Sequence, residues 1–249
     1  MKASEYLAED GVFSAQVEGY KVRHSQLALS DSIEEAIQNK KVLVAEAGTG
    51  IGKTFAYLVP AITSGKKVII STGTKHLQDQ LFRTDIPRVL KALDMPIKIA
   101  LLKGRANYLC LHRLQIAPHL GFMNKVTQTQ LTEIWLWSCK SEVGDVSELS
   151  SIQEDAYVWP MVTSTADNCL GSECDSWNDC FIVKARKKAM EAELLVINHH
   201  LLLADMTLKE EGFAELLPGA DAFIIDEAHQ LHEVATRYFG DTLSSRQIT

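Results

Sequence analysis

The sequence predicts an α/β protein in which a parallel sheet flanked by helices is interrupted by a mainly helical insertion. Two observations predict the sheet: short apolar segments alternate with helical ones, and the first apolar segment leads into a glycine-rich turn. A third predicts the insertion: the alternation stops between Arg105 and Cys180, where all five cysteines lie. We therefore expect residues 1–104 and 181–249 to form one domain around an insertion at 105–180.

The individual elements follow from the period of the apolar residues and from the turn residues between them. Helices are predicted at 25–39, 53–64 and 75–83. Gly65 is expected to cap the second helix, because glycine adopts the left-handed conformation that ends many helices. Buried parallel strands are predicted where short apolar runs occur, at 42–45, 68–71, 97–102, 194–197 and 222–225.

Composition narrows the class of protein. The chain has 249 residues, of which 46% are hydrophobic and 23% charged, which is ordinary for a globular protein and excludes collagen, coiled coil and general disorder. The net charge of −7 argues against binding polyanions by bulk charge. Two basic segments, 98–125 and 181–190, nevertheless flank an acidic one at 141–180. Uneven but solvated surface charge is the simpler explanation of each segment.

The sequence predicts a cytoplasmic protein. Its first ten residues contain no apolar core of a secretory signal. It also has no 18-residue apolar run that would predict a membrane span. In that compartment, cysteines are metal ligands, catalytic groups or core residues more often than disulfides.

The turn Ala47–Thr54 has the pattern of a phosphate-binding P-loop, placed after a predicted strand and before a predicted helix. Its glycines let backbone N–H groups face phosphate oxygens at a helix N-terminus. Lys53 is expected to reach the β- and γ-phosphates of ATP, and Thr54 to ligate Mg²⁺. Ala47 stands where the motif begins with glycine. The expected nucleotide-binding residues are Gly48, Thr49, Gly50, Gly52, Lys53 and Thr54.

The acidic pair Asp226-Glu227 directly follows the last predicted strand. Carboxylates at the end of a strand beside a P-loop can hold Mg²⁺ and orient the attacking water. We expect Asp226 to be the metal-side carboxylate and Glu227 the general base. An acidic cap on the following helix is the alternative explanation.

Cys110, Cys169, Cys174 and Cys180 form a candidate metal site in a polar segment. Four thiolates can hold either one zinc ion or one iron–sulfur cluster. The spacing mildly disfavours zinc, because only one gap has the length of a zinc knuckle. Unrelated cysteines are the remaining alternative. Cys139 is expected to pack within the insertion beside Trp135 and Trp137.

These motifs together resemble the iron–sulfur DNA helicases of the XPD/DinG group in superfamily 2. The resemblance rests on the P-loop, the DEAH sequence at 226–229, the cysteines between them and the run VINHHLL at 196–202. It implies a RecA-like first helicase domain and a 4Fe-4S cluster on the four cysteines. It also implies ATP-driven 5′-to-3′ translocation on single-stranded DNA.

The resemblance also implies roles for single residues. Arg23 and Gln26 match the adenine-side motif of the family, and His229 matches the position that couples nucleotide state to strand movement. The DNA backbone would be held at Ser71, Thr72 and Gly73. Arg105 and Tyr108 could contact phosphate and stack a base. Asn198, His199 and His200 match a family signature without a clear role, and polar core residues are the simpler explanation of the two histidines.

The expected function is therefore that of an ATP-dependent helicase in DNA repair or replication, acting on single-stranded or forked DNA. A protein of the replication machinery is a possible partner, and no membrane is expected. The chain resembles the N-terminal part of a longer helicase, so by itself it should bind nucleotide weakly and unwind nothing. One alternative is a nucleic-acid-binding module with a structural four-cysteine metal site and a regulatory P-loop. Another is an ATPase with a zinc-stabilised insertion and no DNA partner.

Overall fold

The computed structural model describes residues 1–48, 50–119, 121, 123–210 and 216–240. The chain forms two compact units. The first comprises residues 1–101 and 189–249, and the second comprises residues 102–188. In the part that the structure describes, no helix is long and apolar enough to cross a membrane.

The first unit contains a four-stranded parallel sheet in the order β2-β3-β1-β4. Its strands are β1 (Val68–Thr72), β2 (Ile99–Leu101), β3 (Leu194–Asn198) and β4 (Ala222–Ile225). Its described helices are α1 (Ala3–Leu7), α2 (Val12–Gln16), α3 (His24–Gln38), α4 (Lys53–Thr63), α5 (Lys75–Gln80), α6 (Ile86–Leu93), α11 (His199–Glu210) and α12 (Leu231–Phe239).

The central strands are buried because both faces of the sheet are covered. Every residue of β1 and β3 is buried, as expected for short apolar strands in a parallel sheet. The core around them includes Phe13, Leu58, Ile70 and Val196.

The register of the strands aligns their carboxyl ends. Thr72 in β1 pairs with Asn198 in β3, and Ser71 pairs with Ile225 in β4. The residues that follow these pairs, Gly73, His199 and Asp226, therefore emerge at the same edge of the sheet. Ligands of open α/β sheets bind at this edge.

Most of the predicted elements are confirmed. Helix α3 and helix α4 fall within one residue of their predicted bounds, and Gly65 follows α4 with a left-handed φ of 64°. The strand predictions are likewise confirmed at 68–72, 99–101, 194–198 and 222–225. Their apolar runs predicted these strands. The prediction that all of them are buried is wrong for β4, where Phe223 is 51% exposed.

The predicted strand at 42–45 is wrong. The structure assigns this segment no strand, and the side chains of Val42 and Val44 are 95% and 92% exposed. A strand forms only where a neighbouring strand supplies its hydrogen bonds, and in the described residues the sheet contains no strand besides β1 to β4. An apolar run in the sequence indicates a hydrophobic segment, but it does not show whether a neighbouring strand will pair with it.

The helix predicted at 75–83 is longer than expected and is built in three pieces. Helix α5 passes into a π-helical turn at Leu81–Asp85 and then into α6. Pro87 lies in the first turn of α6, where its missing N–H is tolerated. The prediction stopped too early, because the helical path continues through the π-turn into α6.

The second unit is built from helices and 3₁₀ turns, with two isolated antiparallel bridges in its described residues. The bridges join Tyr108 to Asp145 and Leu109 to Thr163. Trp137 and Trp159 pack edge to face, with ring centroids 6.4 Å apart. The helices are α7 (Leu111–Ile116), α8 (Lys125–Ser138), α9 (Val158–Val162) and α10 (Phe181–Glu191), with the unit boundary inside the last.

A buried ion pair stabilises the second unit. Lys103 Nζ lies 2.7 Å from Asp145 Oδ2, and both side chains are only 2% exposed. Ser147 extends the pair, since its N–H and hydroxyl both donate to Asp145 Oδ1. A buried charge without its partner is strongly destabilising, so this network constrains the segment that leads to Tyr108 and Cys110.

We predict that Lys103→Met destabilises the protein by about 3–5 kcal/mol, because it leaves the Asp145 carboxylate buried and uncompensated. Urea unfolding followed by circular dichroism measures this loss. The control is Lys41→Met, which removes an exposed ion pair with Glu35 and should leave the unfolding midpoint unchanged. Equal midpoints for the two variants would contradict the stabilising role of the Lys103–Asp145 pair.

Candidate nucleotide site and cysteine cavity

The P-loop ends on two glycines with left-handed backbone conformations. Gly50 has a φ of 81° and Gly52 a φ of 84°, and α4 begins immediately afterwards at Lys53. These angles strain any residue with a Cβ atom, which explains the glycines of the motif. Gly48 is also described, whereas Thr49, a predicted phosphate contact, lies outside the described residues.

Gln26 braces the end of the P-loop. Its side chain is fully buried, its Nε2 donates to the Gly52 carbonyl at 2.9 Å, and its Oε1 accepts from the Tyr20 hydroxyl at 2.9 Å. A Cβ on Gly52 would lie 2.3 Å from Gln26 Nε2 and 3.7 Å from Arg23 Nη1. The two residues expected on the adenine side are thus gathered beside Gly52.

The P-loop lysine and the DEAH glutamate form an ion pair. Lys53 Nζ lies 2.9 Å from Glu227 Oε1, although the two residues are 174 positions apart in the chain. This hydrogen bond raises the pKa of the Lys53 ammonium against partial desolvation, and the charges of Glu227 and Asp226 act in the same direction. The predicted phosphate-binding cation and the predicted general base therefore lie together.

Asp226 is held from three sides. Its Oδ2 accepts a hydrogen bond from the Tyr57 hydroxyl at 3.2 Å, and its Oδ1 accepts from the Glu227 N–H at 3.0 Å. Its own N–H donates to the Ser71 carbonyl at 2.9 Å. The carboxylate is consequently fixed at the edge of the sheet.

Sequence analysis missed Tyr57. Burial raises the pKa of its hydroxyl well above the usual range, and the charge of Asp226 adds to the effect. The Thr54 side chain acts in the opposite direction on this pKa, so Tyr57 lies beside both residues expected to ligate Mg²⁺. The only sequence signal was its position three residues after Thr54, which places both on one face of α4.

The DEAH turn adopts a strained backbone. Glu227 has φ 53° and ψ 44°, the left-handed region that a glutamate rarely occupies. His229 Nδ1 lies 3.3 Å from Glu227 Oε2, while most of the His229 ring is exposed. Non-glycine residues in this region persist only where surrounding contacts hold them, and they concentrate at functional sites.

The turn after β1 contacts the DEAH segment. A Cβ on Gly73 would lie only 2.1 Å from Gln230 Oε1, so the two segments approach as closely as glycine permits. Ser71 and Thr72 are buried, and Thr72 Oγ1 donates to the Thr74 carbonyl. Any contact of this turn with DNA would therefore use Gly73 and its neighbouring backbone rather than the hydroxyls of Ser71 and Thr72.

The signature Asn198-His199-His200 separates into three environments. Asn198 Oδ1 accepts from the Leu201 N–H at 2.9 Å, which satisfies a backbone donor in the first turn of α11. His199 is fully buried, and its Nδ1 lies 2.7 Å from Ser71 Oγ. The His200 ring faces Tyr238, with ring centroids 6.2 Å apart.

In the second unit, the four predicted cysteines line one cavity of about 120 Å³. Burial raises the pKa of the Cys110 thiol, and the other three thiols raise it further. Cys139 is not among the lining residues. It is exposed at the end of α8, so the prediction that it packs within the insertion is wrong, because the helix ends there on the surface. The four cysteines are Cys110, Cys169, Cys174 and Cys180.

Positive charge surrounds this cavity. Arg105 and Arg186 both line it. Burial lowers the pKa of the Arg186 guanidinium, as does the nearby charge of Arg105, while Cys169, Cys180 and Tyr108 raise it. Two neighbouring guanidinium groups favour an anionic occupant, and thiolates that ligate a metal cluster carry negative charge. Sequence analysis missed Arg186, which lay in a basic run without a distinguishing pattern.

Within the described ranges, no group of three or more His, Cys, Asp or Glu side chains is arranged to hold a metal ion. The lining of the cavity does supply four thiols, which are the donors of both zinc sites and iron–sulfur clusters.

Tyr108 lies in the wall of this cavity. Its ring is 3% exposed, and its hydroxyl accepts from the Lys103 N–H at 3.1 Å. In this structure the ring offers no free face on which a DNA base could stack. Arg105 is half-buried in the neighbouring 3₁₀ turn and is the more accessible of the two predicted DNA contacts.

Residues 29–126 match the family described as DEAD/DEAH box helicase. The matched range includes the P-loop, α4 and β1. The chain carries a DEAD/DEAH box helicase domain. Its parallel sheet and edge-located P-loop are consistent with the RecA-like fold predicted for the helicase.

Curated proteins resemble this chain over most of its length. The ATP-dependent DNA helicase YoaA of Escherichia coli (strain K12) is 52% identical over 244 residues, which are 97% of this chain and 38% of that protein. YoaA of Haemophilus influenzae is 50% identical over 240 residues, 96% of this chain and 38% of that protein. The 3'-5' exonuclease DinG of Bacillus subtilis (strain 168) is 32% identical over 226 residues, 89% of this chain and 24% of that protein.

These comparisons confirm the resemblance to DinG-type helicases that the motifs predicted. The chain spans 38% or less of the length of these three relatives.

We predict that Tyr57→Phe weakens Mg²⁺ binding in the nucleotide complex by about 10- to 100-fold, the usual effect of removing a group that orients a metal ligand. Mg²⁺ titration of a bound fluorescent ATP analogue measures this affinity. Binding of the same analogue in EDTA is the internal control and should be unchanged. An equal loss with and without Mg²⁺ would show that Tyr57 only supports the fold.

Proposed function

We propose that this chain is the ATP-binding part of the motor of a DNA helicase. The observation that carries the proposal is the Lys53–Glu227 ion pair of 2.9 Å at the carboxyl edge of the sheet. It brings a P-loop lysine and a DEAH carboxylate into one site. A turn that bound phosphate without hydrolysis would not need the acidic pair.

Lys53 and Glu227 would change partners when ATP binds. The triphosphate is a stronger anion than one carboxylate, so Lys53 would move to the β- and γ-phosphates. Glu227 would then be free to orient a water molecule and accept its proton. The ion pair therefore keeps both groups in place until the substrate separates them.

Thr54 and Asp226 are the residues that would hold Mg²⁺. The ion would neutralise charge on the phosphate oxygens. The Tyr57 hydroxyl donates to Asp226 and lies beside Thr54. It would keep the Asp226 carboxylate turned toward α4.

We propose single-stranded or forked DNA as the polymer and 5′-to-3′ as the direction of translocation, within cytoplasmic DNA repair or replication. The YoaA relatives are named DNA helicases, which supports DNA as the substrate. Contacts would involve Arg105 and the backbone around Gly73, because both are accessible and phosphate binding needs no base readout. Unwinding and any replication-machinery partner are proposed for the whole protein, and the chain by itself is expected to turn ATP over poorly.

We further propose that the four cysteines of the second unit hold a 4Fe-4S cluster. The proposal is supported by the single cavity that they line and by the flanking guanidinium groups of Arg105 and Arg186. These charges would balance the negative cluster and oppose its loss. Cys110 follows the segment anchored by the Lys103–Asp145 pair, so its position is fixed by the fold.

Lys53→Ala should weaken binding of a fluorescent ATP analogue by about 10- to 100-fold, since a hydrogen bond to a charged group contributes about 1.5–3 kcal/mol. Binding of a labelled single-stranded oligonucleotide, followed by anisotropy, should be unchanged. The matched control is Lys66→Ala, which removes an exposed lysine outside the site.

The outcomes separate the proposed function from its main alternative. Loss of nucleotide binding in Lys53→Ala but not in Lys66→Ala supports the motor site. Nucleotide affinity that is unchanged in Lys53→Ala would overturn the proposed motor site. Turnover that stays absent even in the complete protein with DNA would favour a binding module with a regulatory P-loop.

Anaerobically purified protein is expected to contain about four iron and four sulfide per chain, the content of one 4Fe-4S cluster on four cysteines. Cys110→Ser should lose the cluster and its brown colour, because one ligand is removed. Cys139→Ser is the matched control, since Cys139 is exposed and outside the cavity. Iron, sulfide and zinc analysis with the visible spectrum measures the result.

Stoichiometric zinc without sulfide would contradict the cluster and favour a structural zinc site. Equal iron loss in the Cys110 and Cys139 variants would show that the cavity is not the binding site. Neither result would affect the nucleotide site, which lies in the first unit and is tested separately.

A further inference from the structure

His199 is a buried polar residue to which the proposed ATP chemistry assigns no role. It directly follows β3, whose neighbour in the sheet is β1. The register pairs Thr72 with Asn198, so His199 emerges at the same edge as the P-loop and DEAH residues. A fully buried imidazole at this edge is costly unless its nitrogens are used.

Ser71 connects His199 to the DEAH turn. The Ser71 hydroxyl lies 2.7 Å from His199 Nδ1, and the Ser71 carbonyl accepts from the Asp226 N–H at 2.9 Å. One residue of β1 therefore contacts the imidazole with its side chain and the first DEAH carboxylate with its backbone. Ser71 also lies two residues before Gly73, where β1 leads into the proposed DNA-contacting turn.

The other ring nitrogen has no partner among the described residues, and it is a donor when the Ser71 hydroxyl donates to Nδ1. A neutral imidazole has one donor and one acceptor nitrogen, and a serine hydroxyl that donates to Nδ1 leaves the proton on Nε2. His199 Nε2 is buried and has no hydrogen-bond partner among the described residues. A buried donor of this kind calls for an acceptor within reach.

The backbone of the DEAH turn lies close to this ring. Ser71, which contacts His199 Nδ1, also accepts from the Asp226 N–H, so the start of the turn lies beside His199. Burial lowers the pKa of the His199 ring, while backbone groups at Glu227 and Asp226 raise it, as hydrogen-bond acceptors do. Glu227 is also the residue with the strained left-handed backbone.

We propose that His199 is a positioning residue that couples DNA contact at the turn after β1 to the catalytic turn, by donating Nε2–H to a backbone carbonyl of Asp226 or Glu227. In this proposal, Ser71 fixes the tautomer of His199 and transmits movement of β1 to the imidazole. The hydrogen bond from His199 Nε2–H to the DEAH turn then orients the Glu227 carboxylate. Gly73 and Gln230, which are in close approach, form the second link between the same segments. The inference rests on the proposed function.

The test measures coupling rather than activity. The affinity of the protein for a fluorescent ATP analogue is determined with and without a saturating single-stranded oligonucleotide, and oligonucleotide affinity with and without nucleotide. In the parent protein we expect each ligand to change the affinity for the other by about 5-fold or more, within the usual range of allosteric coupling. The two ratios must agree, because binding linkage is reciprocal.

Two substitutions of His199 separate positioning from packing. The amide of asparagine overlaps Nδ1, so His199→Asn keeps the Ser71 contact and loses the donor toward the DEAH turn. The amide of glutamine overlaps Nε2, so His199→Gln keeps that donor. We expect coupling to disappear in His199→Asn and to be largely restored in His199→Gln, with the separate affinities for each ligand little changed.

Further variants complete the design. Ser71→Ala is a smaller change that should also abolish coupling, and it serves if the His199 variants fold poorly. His200→Asn is the matched control, because the neighbouring ring faces Tyr238 and should leave coupling intact.

Coupling that survives in His199→Asn and Ser71→Ala would overturn the inference, as would equal losses in the asparagine and glutamine variants. A parent protein that binds both ligands without coupling would overturn it as well, and would leave the proposed nucleotide and DNA sites standing. A parent that binds neither ligand would overturn the proposed function and this inference with it.

Discussion

The parallel pairing of β1 with β3 and β4 is the constraint on which the site depends. Parallel strands in register end at one edge, so residues far apart in the chain meet there. Ser71 lies 128 positions from His199, and Lys53 lies 174 positions from Glu227, yet both pairs are in hydrogen-bond contact. A shift of one residue in this register would turn every alternate side chain to the other face and separate these pairs.

The DEAH turn is held by its neighbours in a backbone conformation that is rare for a glutamate. Glu227 occupies a left-handed backbone region, and the contacts around it come from three directions. The ion pair with Lys53 arrives from α4, the Asp226 side chain is held by Tyr57, and the Asp226 N–H is bonded to β1. Such strain is maintained by its surroundings, and it makes the turn responsive to any change in them. In our proposals, nucleotide acts on this turn through Lys53, and DNA acts on it through β1 and His199.

The second unit contains two different arrangements of charge, a buried ion pair and a cavity lined by two arginines. Its buried Lys103–Asp145 pair is neutral overall and serves to fix the segment before Cys110. Its cavity, in contrast, places the guanidinium groups of Arg105 and Arg186 beside four thiols, and no carboxylate stands among the described residues that line it. Ligation of a metal cluster ionises thiols, which would turn mutual repulsion between the arginines into attraction for the occupant.

The sequence by itself determined the P-loop and cysteine motifs, the resemblance to the helicase family, and the strands predicted at 68–71, 194–197 and 222–225. These features are local: a glycine pattern, an acidic pair or a buried apolar run is written in consecutive residues. The tertiary structure alone decided that 42–45 forms no strand and that the ring of Tyr108 is buried. It alone revealed the surroundings of Tyr57, Arg186 and His199, because each has neighbours from distant segments. No local pattern specifies which donor a folded chain will bring to which acceptor.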